Sequence, residues 1–175
     1  MNRRIVLCLG AAMAAAGVVA HAAEGVRITP ITREQKVYVS FELTDAYNDA
    51  IKESIASGLR TTFSYDVALR MEAWVDRTIA TTVVSTSDQY DNLTRQHRLT
   101  RTVDGRVEEA TVTDDESAVR AWLILWKRLP LCDTSKLDPT RDYYVRVSAR
   151  ARPSSGSLIG WASAITGQAK FTFIP

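Results

Sequence analysis

A strict two-residue alternation of apolar and polar side chains narrows what this chain can become more than any other feature. In the run Tyr143–Arg152, Tyr143, Val145, Val147, Ala149 and Ala151 share one parity; Tyr144, Arg146, Ser148, Arg150 and Arg152 share the other. Successive side chains of a strand point to opposite faces, so the run predicts a half-buried strand rather than a helix. The passage from Thr62 to Ala73 repeats the pattern, with Phe63, Tyr65, Val67, Leu69, Met71 and Ala73 on the apolar side. Its length predicts a strand that bends over the core.

Shorter runs follow the same rule. Val26–Ile31 reads as one strand, and Val37, Val39, Phe41 and Leu43 mark the inward face of the next. Ile79–Ser85 is rich in Thr and Val, which suit a pleated surface. Tyr90-Asp91-Asn92 turns the chain into a strand expected over Leu93–Val103. Asp104-Gly105 then predicts a tight hairpin, since both residues tolerate the positive φ of a primed turn. Val107–Val112 follows, and Ala169, Phe171 and Phe173 mark a terminal strand.

Two segments carry helical spacing instead. Asp45 is expected to open a helix with Tyr47, Ala50, Ile51, Ile55 and Leu59 on one face and a left-handed stop at Gly58. Thr113-Asp114-Asp115-Glu116 reads as a capping box. The helix it starts is expected to run through Val119, Trp122, Leu125, Trp126 and Leu129, mostly buried, and to stop before Pro130. Leu131–Arg141 and Pro153–Ser157 read as loops, and Gly160–Gly167 has no clear period. The expected fold class is α+β, mainly β: a curved antiparallel sheet or sandwich of about eight strands with two packed helices.

The N-terminus reads as an address. Arg3 and Arg4 precede an uncharged apolar run, Ile5–Ala20, and Ala20-His21-Ala22 offers small side chains at a signal-peptidase site. That run is shorter than the roughly 20 residues a helix needs to cross a bilayer. Residues 1–22 are therefore expected to be a signal peptide, cleaved near Ala22, and 23–175 a single periplasmic or secreted domain with no transmembrane segment. Neither a twin-arginine pattern around Asn2 and Val6 nor a lipobox before Cys8 fits. Cleavage leaves 20 basic and 20 acidic residues, a balance that disfavours nucleic acid as a partner. Cys132 would then be the remaining cysteine, so no disulfide forms within one chain; it reads as a shielded thiol, with pairing between chains the alternative.

Motifs for chemistry are scarce. His97 is the one histidine after Ala22. It is expected on a sheet, on the face of Leu93 and Leu99, with no cleft around it. No Gly-x-Ser-x-Gly elbow accompanies it. One Cys and one His do not make a zinc site, and Asp88 and Asp91 do not match a calcium loop. No catalytic, metal or cofactor-binding residue is assigned, no cofactor is expected, and the chain is expected not to be an enzyme. The most distinctive surface feature is arginine: 15 of the 20 basic residues after Ala22 are Arg. Tyr144, Arg146, Arg150 and Arg152 share one side of a strand, and arginine favours interfaces because its planar fork binds carboxylates and stacks on rings. They form the candidate interaction surface; the alternative is a solvated face paired with Asp66 or Glu72. The functional expectation is a protein-interaction or accessory module, whose partner is another envelope protein or a membrane-bound sensor. The alternative is a carrier of lipid or another apolar ligand, held against Trp122 and Trp126.

The order of four passages adds a resemblance. Ala56-Ser57-Gly58-Leu59 through Thr62-Phe63-Ser64-Tyr65 comes first, then Tyr90-Asp91-Asn92-Leu93-Thr94-Arg95. Asp115-Glu116-Ser117-Ala118 and Tyr143-Tyr144-Val145-Arg146-Val147 follow. In that order they resemble the bacterial exported family of domain of unknown function 4390. The resemblance implies a small exported protein of Gram-negative bacteria and carries over no catalytic residue.

Overall fold

A computed structural model describes residues 25–153 and 164–174, without the side chains of residues 152 and 153. The expected signal peptide, most of the Pro153–Ser157 loop and the first part of Gly160–Gly167 lie outside the described residues. Among the described residues nine strands form two antiparallel sheets: β1 (Val26–Arg33), β2 (Lys36–Leu43), β3 (Thr61–Met71), β4 (Arg77–Asp91), β5 (Gln96–Val103), β6 (Arg106–Thr113), β7 (Leu125–Asp133), β8 (Asp142–Pro153) and β9 (Ile165–Thr172). The smaller sheet runs β1-β2-β7 and the larger β6-β5-β4-β3-β8-β9. Helices α1 (Asp49–Ala56) and α2 (Glu116–Ile124) complete the fold, with one 3₁₀ turn at Thr134–Lys136. The mainly-β expectation holds, with one strand more than foreseen.

The apolar parity of each long strand faces inward. Val37, Val39, Phe41 and Leu43 of β2 meet Phe63, Tyr65, Val67 and Leu69 of β3 and Val145, Val147 and Ala149 of β8, all buried. Phe41 and Tyr65 touch across the two sheets at 5.0 Å between ring centroids. Each such side chain contributes about 1.5–3 kcal/mol on leaving water. At one corner β1 lies on β9, and only a glycine fits: a Cβ on Gly167 would sit 2.9 Å from Val26 Cβ.

Turns follow local chemistry. Asp104 and Gly105 both adopt positive φ, 47° and 80°, as the dipeptide predicted. Asp104 also pins its hairpin to β4, its carboxylate accepting from Val83 N at 2.9 Å. The β1–β2 turn is less comfortable, because Glu34 and Gln35 adopt φ of 50° and 59°, a region costly for residues with a Cβ. Helix α1 starts later than expected: Asn48, not Asp45, caps it by accepting from Ile51 N at 3.1 Å. Its stop is Gly58, at φ 79°. Leu93 belongs to no strand; it stands 95% exposed in the turn between β4 and β5, where Asp91 accepts from Leu93 N and Thr94 N.

The second helix departs furthest from expectation. Its cap is Asp115, which accepts from Ser117 N at 2.8 Å, while Thr113 Oγ1 accepts from Asp115 N. It ends at Ile124, and Leu125–Asp133, including Trp126, Leu129 and Pro130, is strand β7. The larger sheet terminates it. Thr86 and Tyr65 hydroxyls both donate to Leu123 O, and Arg101 donates to Trp122 O and to Leu125 O. These donors satisfy the carbonyls that a helix end leaves open. The helical spacing of Trp126 and Leu129 comes from a bulge: Phe41 pairs Trp126 and Val39 pairs Leu129, so three steps on β7 match two on β2. Arg128, at φ 52°, is the extra residue, and Pro130 is tolerated because β7 is an edge.

Candidate functional site

The alternation of β8 places its arginines on the outer face of the larger sheet. There Arg146 lies between Ala68 and Gln168, and Arg150 beside Ser64. Ala68 and Ser64 are short, and both arginines are exposed. Arg150 sits 3.8 Å from Asp66, with each side chain about half exposed at 54% and 53%. Pairs of this kind contribute little. Arg146 makes no ion pair among the described residues. Glu72, the other expected partner, is held by Lys170 Nζ at 2.8 Å instead. The Arg152 backbone pairs with Thr62; its side chain lies outside what is described.

Tyr144 departs from the rest of the row. It is 8% exposed, because it packs beneath Arg70, whose guanidinium lies 5.9 Å from the ring centroid. Its hydroxyl donates to Asp76 Oδ2 at 2.6 Å, and this bond holds the Asp76 carboxyl below its ordinary value. The tyrosine thus braces the turn between β3 and β4 rather than offering an aromatic surface. That turn carries two exposed large apolar residues, Trp74 at 102% and Val75 at 77%. Sequence reading passed over both. The signal was there: an indole and a β-branched residue standing where the alternation stops.

His97 occupies a different setting from the one expected. It shares the inner face of β5 with Leu99, and its Nδ1 lies 2.8 Å from Asp88 Oδ2. The two side chains are 13% and 0% exposed, and the Tyr90 ring lies tilted against the imidazole at 4.6 Å between centroids. Rather than facing only sheet neighbours, His97 borders an open concavity of about 350 Å³ with Tyr47, Lys52, Arg95, Asp114 and Glu116. Burial pushes the Asp88 carboxyl up, against the opposing pull of His97. The second carboxylate oxygen, Oδ1, is buried without a hydrogen-bond partner among the described residues. This pair can hold and share a proton. Among the described residues no serine or threonine hydroxyl hydrogen-bonds His97. Asp91 turns its carboxylate to backbone N–H groups instead of toward Asp88, and no cluster of three metal-ligating side chains occurs among the described residues.

Trp122 and Trp126 are committed to packing. The Arg101 guanidinium lies 4.2 Å from the Trp122 ring centroid and 5.1 Å from that of Trp126. Trp126 also stacks on Phe41. Cys132 is a half-buried free thiol opposite Val37 in the smaller sheet, and burial raises its pKa. Among the described residues no helix is long and apolar enough to cross a membrane.

The family described as Domain of unknown function (DUF4390) matches residues 20–157, most of the chain, and the chain belongs to it. No curated protein and no solved structure matches.

Proposed function

We propose that this member of the DUF4390 family is an exported accessory module of the bacterial envelope, non-enzymatic, that docks on another envelope protein through the outer face of its larger sheet. The observation that carries the reading is Arg146. It is an exposed cation with no ion-pair partner among the described residues, set between Ala68 and Gln168 on the face that also carries the weakly paired Arg150. A guanidinium in that position is free to form a two-pronged bond to a partner's carboxylate. Placement outside the cytoplasm rests on Arg3, Arg4, the apolar run and Ala20-His21-Ala22.

Two measurements test this. Mass spectrometry of the protein recovered from the envelope should give an N-terminus at Ala23; retention of Met1–Ala22 would remove the compartment from the reading. Partners captured from envelope extract should be lost when Arg146, Arg150 and Arg152 are changed to Glu. Restoration by charge-reversed acids on the identified partner would establish the contact. A triple variant that keeps every partner rejects this face as the docking surface. Turnover of any substrate in a hydrolase panel, abolished by His97→Ala, would overturn the non-enzymatic part.

A further inference from the structure

Folding makes no use of Trp74 and Val75, yet the turn that presents them is braced, chiefly by the 2.6 Å bond from the Tyr144 hydroxyl. Asp76 Oδ1 accepts from Ala73 N, Tyr144 donates to Asp76 Oδ2, and Arg70 donates to Asp76 O. On the near side Glu72 N donates to Asp142 O at 2.9 Å, while both Glu72 oxygens lie 2.8 Å from Lys170 Nζ. Tight turns ordinarily take Gly, Asn, Asp or Ser at such positions. Here a fixed support holds an indole and an isopropyl group in water.

Beside the tip lies an open trough of about 510 Å³ whose border includes the cations Arg77, Lys136 and Arg141 and the carboxylate Asp138, floored by Met71 and Tyr143. These three cations make no ion pair among the described residues. The carboxylates at this end accept hydrogen bonds within the fold and keep their charge, and of these Glu72 alone is paired with a cation among the described residues. Glu72 holds Lys170, Asp76 takes the Tyr144 hydroxyl, Asp138 accepts from Thr140, and Asp142 accepts from Thr172. Ile174, 69% exposed, follows β9 at the same end of the sheet, where Thr172 pairs with Asp142. Basic and acidic residues balance beyond Ala22, whereas the trough lining carries Arg77, Lys136 and Arg141 against the single carboxylate of Asp138, a local excess of positive charge.

We propose that this end of the molecule docks on an anionic phospholipid surface, Trp74 and Val75 entering the interfacial layer while Arg77, Lys136 and Arg141 meet headgroup phosphates. The extent favours lipid over a protein pocket. The exposed large apolar side chains here are Trp74, Val75 and Ile174, far too few for the roughly 800 Å² a stable protein interface buries on each partner. A bilayer interface needs no complementary shape, and an indole, apolar with one polar edge, is the side chain that settles there. Basic residues add attraction that acts within a Debye length of an anionic surface.

The test is flotation of the mature protein with vesicles of phosphatidylcholine, with and without phosphatidylglycerol, together with tryptophan quenching by brominated acyl chains. Binding is expected to the anionic vesicles alone and to weaken with salt. Trp74→Ala should weaken it about tenfold or more and remove the quenching. Arg77→Glu with Arg141→Glu should weaken it at least about tenfold. All three side chains are exposed, and unchanged urea midpoints confirm the fold. Arg146→Glu should still float, which separates this surface from the protein-docking face. The proposal is overturned by absence of binding to anionic vesicles, by wild-type binding of Trp74→Ala, or by displacement with inorganic phosphate. Loss of a protein partner in Trp74→Ala without any lipid binding would reassign the tip to a protein pocket.

Discussion

Replacing Arg101 by Met should destabilise the domain by about 3 kcal/mol and loosen the end of α2. The side chain is 19% exposed, and its Nη2 donates to Leu125 O at 2.8 Å and to Trp122 O at 3.3 Å. A hydrogen bond from a charged donor contributes about 1.5–3 kcal/mol; the longer bond stands at the low end. A desolvated cation over an indole adds about 2 kcal/mol, and here it lies against two. The Glu109 contact, at 3.6 Å with the glutamate 57% exposed, contributes little. Against these gains stands the cost of burying the guanidinium, several kcal/mol, which also lowers its pKa. The balance leaves about 3 kcal/mol, or roughly 6–12 °C in Tm for a domain of this size. Met fills the volume, so the loss reports the carbonyls and rings rather than a cavity. Arg101→Lys keeps the charge without the fork and should recover less than half. Urea unfolding followed by far-ultraviolet circular dichroism gives the free energy, and near-ultraviolet dichroism reports the Trp122 and Trp126 environment. A loss under about 1 kcal/mol, with the near-ultraviolet signal intact, would refute the claim that Arg101 ends the helix.

Three further outcomes are expected. Glu34→Asn with Gln35→Gly should stabilise the domain by about 1 kcal/mol, since both positions need positive φ; an unchanged urea midpoint would count against strain in that turn. Gly167→Val should cost at least about 1–3 kcal/mol, because even a Cβ meets Val26 Cβ at 2.9 Å and Val26 O at 3.3 Å; thermal unfolding reads it directly. Folding raises the Asp88 pKa above 3.8, so the folded state holds this proton more tightly than the unfolded chain. Its contribution is fully present below the unfolded pKa and is lost as pH rises through the folded value. Stability measured upward from 3.8 should show that loss in the wild type and not in Asp88→Asn; equal slopes would contradict it.

Period two was legible along β2, β3 and β8 because each strand has one buried and one wet face, and that requirement is written in the residues themselves. The Asp104-Gly105 turn and the Gly58 stop were legible for a similar reason: positive φ selects residues by local sterics. The arginine row at Arg146 and Arg150 followed from the same parity. Other features depended on register between distant segments. The Trp126–Leu129 spacing of three fits a helical turn or a bulged strand equally, and the choice fell to β2, whose pairing gains more than one further helical turn. Strand β4 ran past its expected end at Ser85 because Thr86 and Asp88 are polar yet buried, the first bonded to Leu123 O and the second to His97. His97 and Asp88 met only because the β4–β5 register brings a strand position beside the one diagonal to it. Tyr144 carries the parity of an exposed residue and was covered because Arg70 and the Asp76 turn fold over it. Short-range sterics and one-sided burial set the elements; the pairing of carbonyls, carboxylates and hydroxyls across separate strands, which no local window contains, set where they end and which side chains meet.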